Sequence, residues 1–288
     1  MACFGLSTNS FASLVAYYPL DGNANDYSGN GDNGTVLGAT PTTDRFGNPN
    51  GAYSFDGTDD FIRASGSGLP TGARTVILWF DAATVATEPV FLGYGGGACG
   101  TSFFMGLNGS HAADYYVTSH CNVNDLIYSY PSDPSGVWHQ FAITTDAAGT
   151  DMYVDGALVA SNGNFISNTT VAGTDLAIGV DVSPGGIAPY TDSNVGYFEG
   201  KIDDVCIYNT ALTAAQIAAS PCSTVGPTPP APEPATFTLL GTGLFALAVV
   251  RRRRARSVAA VPGWVSVIVT ARDLTCVQHV AMLYACRL

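Results

Sequence analysis

Gly196-Tyr197-Phe198-Glu199-Gly200-Lys201-Ile202-Asp203-Asp204-Val205-Cys206-Ile207-Tyr208 reads as one long strand, and its reading decides the fold. Aromatic and β-branched residues dominate it, and Asn209-Thr210 after it are turn residues. Shorter runs of the same character precede it at residues 14–20, 52–55, 61–64, 75–80, 90–94, 103–107, 113–118, 125–130, 138–145, 150–154, 157–161 and 175–180, separated by Gly, Asn, Asp and Pro clusters. Many short strands at such spacing imply an all-β sandwich. Asp155-Gly156, between Met152-Tyr153-Val154 and Ala157-Leu158-Val159, predicts a two-residue hairpin turn whose central positions both need positive φ. No helical periodicity appears before Leu212; there Thr213 is placed to cap one short helix over residues 214–218.

The chain has 288 residues, and setting aside both ends leaves about two hundred, enough for one domain with a real core. Up to Pro234 the basic residues are Arg45, Arg63, Arg74 and Lys201 against 22 acidic ones, a net charge of −18; the remainder carries +6. A surface this acidic repels phosphate backbones and anionic headgroups, which excludes nucleic acid as a partner and favours cations. Abundant Gly, Asn, Thr, Ser and Tyr with a single Lys suits an exported β-domain better than a cytosolic helical enzyme.

Three segments, in order, resemble the LamG-like, concanavalin A-type laminin G domains over roughly residues 14–219. The first is Leu14-Val15-Ala16-Tyr17-Tyr18-Pro19-Leu20-Asp21-Gly22-Asn23-Ala24-Asn25-Asp26-Tyr27-Ser28-Gly29-Asn30, followed by Ala52-Tyr53-Ser54-Phe55-Asp56-Gly57-Thr58-Asp59-Asp60-Phe61-Ile62. Val137-Trp138-His139-Gln140-Phe141-Ala142 with Met152-Tyr153-Val154-Asp155-Gly156 is the second, and Phe198 to Leu212 the third. The resemblance implies a concanavalin A-like jelly-roll β-sandwich and makes glycans the leading ligand class. It also implies a structural Ca2+ between the first loop and the Asp-Asp of the last strand, carried here by Asp26 and Asp204, with Asp21, Ser28 and Asp203 beside them.

The loop from Asp21 to Asn33 is itself dense in the oxygen ligands that a hard divalent ion takes. It is not an EF-hand: Asp26 stands where that motif needs Gly, and no helices flank it. A turn whose side chains satisfy their own backbone is the other reading. Glycoside hydrolysis on this fold needs two carboxylates roughly 5–10 Å apart. Glu88 precedes a proline, Glu199 has no acidic residue two positions away, and strict alternation puts Asp203 and Asp204 on opposite strand faces, so a non-catalytic protein is expected. His111, His120 and His139 show no metal or nucleophile spacing, and no Gly-x-Ser-x-Gly appears. Trp79 and Trp138 lie in apolar runs and are expected in the core. Tyr94, Tyr115, Tyr116, Tyr128, Tyr130 and Tyr190 form the pool for a sugar-stacking face, with ordinary surface tyrosines as the alternative.

Pro232-Glu233-Pro234, the apolar run 235–250 and Arg251, Arg252, Arg253 and Arg254 resemble a PEP-CTERM sorting signal, which implies export and processing by an exosortase. The apolar run at ~1.5 Å per residue spans about 24 Å as a helix, short for a bilayer core yet tolerable with snorkelling flanks, and the arginines resist crossing. The expected organisation is a residual signal peptide or disordered leader (1–13), the sandwich (14–220), a Pro-rich linker (221–234), a transmembrane helix with its Arg cluster (235–256) and an anomalous tail (257–288) that suggests read-through. Of the three connectivities open to Cys99, Cys121, Cys206 and Cys222, the local pairs Cys99–Cys121 and Cys206–Cys222 are expected in an oxidising compartment, with free thiols as the alternative. The expected protein is an exported carbohydrate-binding or adhesion module, moving from a membrane-anchored intermediate to the cell surface or an exopolysaccharide matrix. A structural matrix protein that recognises itself or other proteins, or an orphan hydrolase, are the rival classes.

Overall fold

The computed structural model describes residues 12–84, 88–96, 100–108, 114–118, 125–183, 185–191 and 195–224. The sorting motif at 232–234, the apolar run, the four arginines and the Cys99–Cys121 pairing lie outside them. Among the described residues no helix is long and apolar enough to cross a membrane.

Two sheets form the domain. The first runs in the order β13 (Ala157–Asn162), β12 (Gly149–Val154), β11 (His139–Asp146), β6 (Arg74–Ala82), β16 (Glu199–Tyr208), β4 (Ala52–Asp56) and β3 (Thr40–Thr42), with β1 (Leu14–Tyr18) also pairing β16. The second runs β10 (Leu126–Ser129), β9 (Asp114–Thr118), β8 (Ser102–Asn108), β7 (Glu88–Gly95), β14 (Asp175–Ile178), β5 (Phe61–Ser65) and β2 (Thr35–Leu37). All these pairings are antiparallel, and β15 (Val195–Gly196) adds a short parallel pairing to β7. The stretch expected as one strand from Gly196 to Tyr208 is divided: Gly196 ends β15 on the second sheet, and Glu199–Tyr208 is β16, central in the first sheet as its apolar content requires.

The main core lies between the sheets. Val76, Leu78 and Phe80 of β6, Phe141 and Ile143 of β11, and Ile202, Val205 and Ile207 of β16 meet Ile62, Phe91, Leu92, Phe103, Met105 and Ile178 from the opposite sheet. The outer faces are covered as well. Ile77, Ala142, Cys206 and Tyr208 lie under Ile217 of α1 (Ala214–Ala218) and Cys222 of α2 (Pro221–Thr224), while Val90, Phe104 and Ala177 lie under Val180, Val182 and Ala188.

The hairpin turn forms as its residues dictate, with Asp155 at φ 50° and Gly156 at φ 78°. Thr213 caps α1 through a capping box: Gln216 N donates to its hydroxyl, and its own N–H donates to the Gln216 side chain. β2 and β3 were not legible as strands, being three residues each; Pro41 is tolerated because β3 is an edge strand. The sandwich also runs past the expected boundary at 220. A disulfide joins Cys206 to Cys222 with Cα atoms 6.0 Å apart, and the Cys222 carbonyl accepts hydrogen bonds from Trp79 Nε1 at 2.7 Å and Gln140 Nε2 at 3.3 Å. The bridge closes a loop of 16 residues in sequence separation, so Cys222→Ser is expected to lower unfolding free energy by about 3 kcal/mol in urea titration.

Candidate functional site

Asp203 and Asp204 do not point to opposite faces. Along β16 the register runs Asp203 opposite Trp79 and then Cys206 opposite Ile77, so three steps on one strand match two on the other. That is a β-bulge, and Asp204 absorbs the extra residue at φ 46°. Ile202 and Val205 both reach the inter-sheet core, while the two aspartates share one partner. Arg45 Nη1 donates to Asp203 Oδ2 and Nη2 to Asp204 Oδ2, the latter at 2.8 Å. All three side chains are buried, at 5% exposure for Arg45, 3% for Asp203 and 0% for Asp204. The guanidinium carbon lies 4.4 Å from the Phe46 ring centre and 4.6 Å from that of Trp79, two cation–π contacts. Tyr17 donates its hydroxyl to Asp204 Oδ1 at 3.2 Å and packs edge-on against the exposed Tyr27. Burial pushes Asp203 up to about 8, with help from the Asp204 charge; burial pushes Asp204 up to about 6 against the pull of Arg45. Two buried carboxylates share one cationic group. Burial and the Asp44 charge also raise Asp21.

Asp26 serves its own loop. Its Oδ1 accepts from Tyr17 N at 3.0 Å and Ser28 N at 2.9 Å; its Oδ2 accepts from the Ser28 hydroxyl at 2.8 Å, Gly31 N at 3.1 Å and Asp32 N at 3.3 Å. These donors hold its carboxyl below the usual range despite partial burial. The Ser28 hydroxyl is engaged with Asp26 and the Val15 carbonyl. Of the donors that the resemblance assigns to calcium, Asp203 and Asp204 thus close on a guanidinium, Asp26 on backbone N–H groups and the Ser28 hydroxyl, and Ser28 on Asp26 and the Val15 carbonyl, while Asp21 stands exposed.

The tyrosine pool divides sharply. Tyr94 and Tyr115 are fully buried and Tyr116 nearly so, so none of the three is a surface stacking ring. Tyr94 and Tyr115 belong to the core between the sheets, while Tyr116, next to Tyr115 on the other strand face, is buried outside that core. Tyr94 instead accepts from Arg74 at 3.0 Å and donates to the Pro70 carbonyl at 3.2 Å. Arg74, itself fully buried, also donates to the carbonyls of Gly72, Thr71 and Ser167. Tyr190 is half-buried, and its N–H donates to the Asp181 carbonyl.

Tyr128 and Tyr130 remain partly exposed and converge on Tyr115, with ring centres 6.4 and 5.3 Å from it. His139 lies 5.4 Å from Tyr130, and its Nδ1 is 2.8 Å from Asp155 Oδ2. The Tyr115 hydroxyl is buried without a hydrogen-bond partner, and burial followed by the charge of Asp155 holds it far above the ordinary phenol range. An aromatic wall, an imidazole–carboxylate pair and an unpaired hydroxyl thus meet at one end of β9, β10 and β11.

Trp79 and Trp138 are half-buried on the outer side rather than in the core, each under a cation, Arg45 and Lys201 respectively. Glu199 is not alone: it stands directly opposite Asp56 across β16 and β4, beside a cavity of about 450 Å³ also lined by Asp81 and Lys201. Both carboxylates are solvent-exposed. Among the described residues, Asp56, Asp59 and Asp60 also bring ligand atoms within 4.8 Å of one another, but Asp56 Oδ1 caps the N–H of Thr58 and Asp60 Oδ2 that of Asp56.

This architecture is that of a concanavalin A-type sandwich. Residues 56–218 match the family model described as the concanavalin A-like lectin/glucanases superfamily, and the chain belongs to that family. Residues 230–254 match the PEP-CTERM protein-sorting motif, the mark of an exported, membrane-processed protein. No curated protein sequence matches the chain. Among solved structures, domain 4 of the extracellular arabinanase AbnA from Geobacillus stearothermophilus, determined with arabinotriose, is similar at TM-score 0.55 and 22% identity, covering 72% of this chain and 98% of that one. The botulinum neurotoxin serotype D binding domain is similar at TM-score 0.51 and 15% identity, over 72% of this chain and 51% of its own. Trypanosoma rangeli sialidase is similar at 0.50 and 13%, over 74% and 34%. The chain thus spans about half of the toxin domain and a third of the sialidase, and these likenesses show the shared fold.

Proposed function

We propose that this is an exported, non-catalytic carbohydrate-binding module. Its apolar run 235–250 holds a membrane-anchored intermediate until an exosortase-type enzyme acts near Pro232-Glu233-Pro234, releasing the domain to the cell surface or a polysaccharide matrix. The observation that carries the binding role is the part-exposed pair Tyr128 and Tyr130, with the His139–Asp155 pair beside Tyr130. Aromatic rings pack on the apolar face of a sugar while hydroxyl, carboxylate and imidazole groups take its hydroxyls. Tyr130→Ala is expected to weaken glycan binding about tenfold on an array or by titration calorimetry. Tyr115→Phe is expected to leave glycan affinity within about twofold and the melting temperature unchanged or higher, since it removes an unsatisfied buried group. Uniform silence across glycans favours the structural-matrix reading instead.

The Glu199–Asp56 pair gives the hydrolase reading its one specific support. A catalytic acid of this chemistry works from a water-poor pocket, and these two side chains stand in solvent. A hydrolysis screen against β-glucans and arabinans that yields shortened products lost in Glu199→Gln favours catalysis.

A further inference from the structure

We propose that Arg45 does the work expected of a calcium ion at the last strand: its guanidinium clamps its own loop to Asp203 and Asp204, the first loop joins them through Tyr17, and the clamp needs no metal. Of the four basic residues that precede Pro234, Arg45 and Arg74 are both buried; Arg74 is met by carbonyls and hydroxyls, whereas Arg45, at 5% exposure, is met by counter-charge. The bulge supplies it by turning both Asp203 and Asp204 to one side, and a planar guanidinium with two parallel Nη donors suits two adjacent carboxylates as a compact ion would. The rings of Phe46 and Trp79 both lie against the guanidinium and help to bury it. Tyr17 takes the remaining Asp204 oxygen, and the same residue's N–H holds Asp26, so the loop is tied to β16 through hydrogen bonds alone. Both Asp204 oxygens already accept a hydrogen bond.

The test is thermal unfolding of the full chain in EDTA and then in millimolar calcium, with terbium luminescence sensitised by Tyr17 as a second readout. The wild type is expected to keep the same melting temperature in both conditions and to show no terbium signal that Asp203→Asn removes. Arg45→Ala is expected to melt about 10 °C lower in EDTA and to recover part of that loss in calcium, because the vacated aspartates then need a cation. Should Arg45→Ala fail to fold, Arg45→Lys keeps the charge without the fork, and an intermediate loss that calcium does not restore supports the clamp. A wild-type melting temperature that falls in EDTA, with the response abolished by Asp203→Asn, overturns it.

Discussion

Phe91→Ala is expected to destabilise the domain by about 3–5 kcal/mol, the range for truncating a fully buried aromatic whose site cannot collapse. Phe91 belongs to β7, yet its ring stacks on Phe80 at 4.2 Å and meets Phe198 at 5.1 Å and Phe141 at 6.2 Å, all from the opposite sheet or its approach. It is a hub between layers. The register shift between Val90 and Leu92 lets Phe91 and Leu92 both enter the core, so neighbouring strands cannot slide to fill the gap without losing that bulge. Chemical denaturation should show a lowered midpoint with an unchanged slope. A loss under about 1 kcal/mol would mean the two sheets are not packed through this ring.

The second large effect is on pH. Asp203 and Asp204 bind protons more tightly in the folded state than in the unfolded chain, because burial raises both and one arginine cannot neutralise two charges. Their contribution is therefore fully present below the ordinary carboxylate value near 3.8 and is lost as pH rises through about 6 and about 8. The groups facing the pair are Tyr17, Asp21, Asp44 and Arg45; the two further acids act in the same direction and Arg45 against it. Stability should fall by a few kcal/mol between pH 4 and 8, on the order of one proton held over that range. Asp203→Asn fixes the neutral form and should flatten most of the slope. An unchanged slope in that variant would remove Asp203 as its source.

The all-β class, most of the strands, the Asp155-Gly156 turn and the Thr213 cap were legible in the chain because each is a local rule obeyed by adjacent residues. The acid pair was legible as residues and misread as geometry. Alternation separates neighbours on a strand, and only the pairing with Trp79 and Ile77 on a distant strand reveals the bulge that unites Asp203 with Asp204. Arg45 carries no periodic signal within Thr43-Asp44-Arg45-Phe46-Gly47; scarcity of basic residues was the one hint. Tyr94 and Tyr115 passed for surface residues because which face of a strand meets the other sheet is set by pairing with distant strands, and both rings lie in the core between the sheets. Asp56 and Glu199 became neighbours for the same reason, through strand order rather than spacing.

Mixing the full chain with candidate polysaccharides, measuring uptake by calorimetry and then sizing the recovered sugar tests most directly whether this protein holds its ligand without altering it. Saturable binding weakened by Tyr130→Ala, with the sugar recovered at its original length, is the expected result; shortened chains, or no uptake of any glycan, would contradict it.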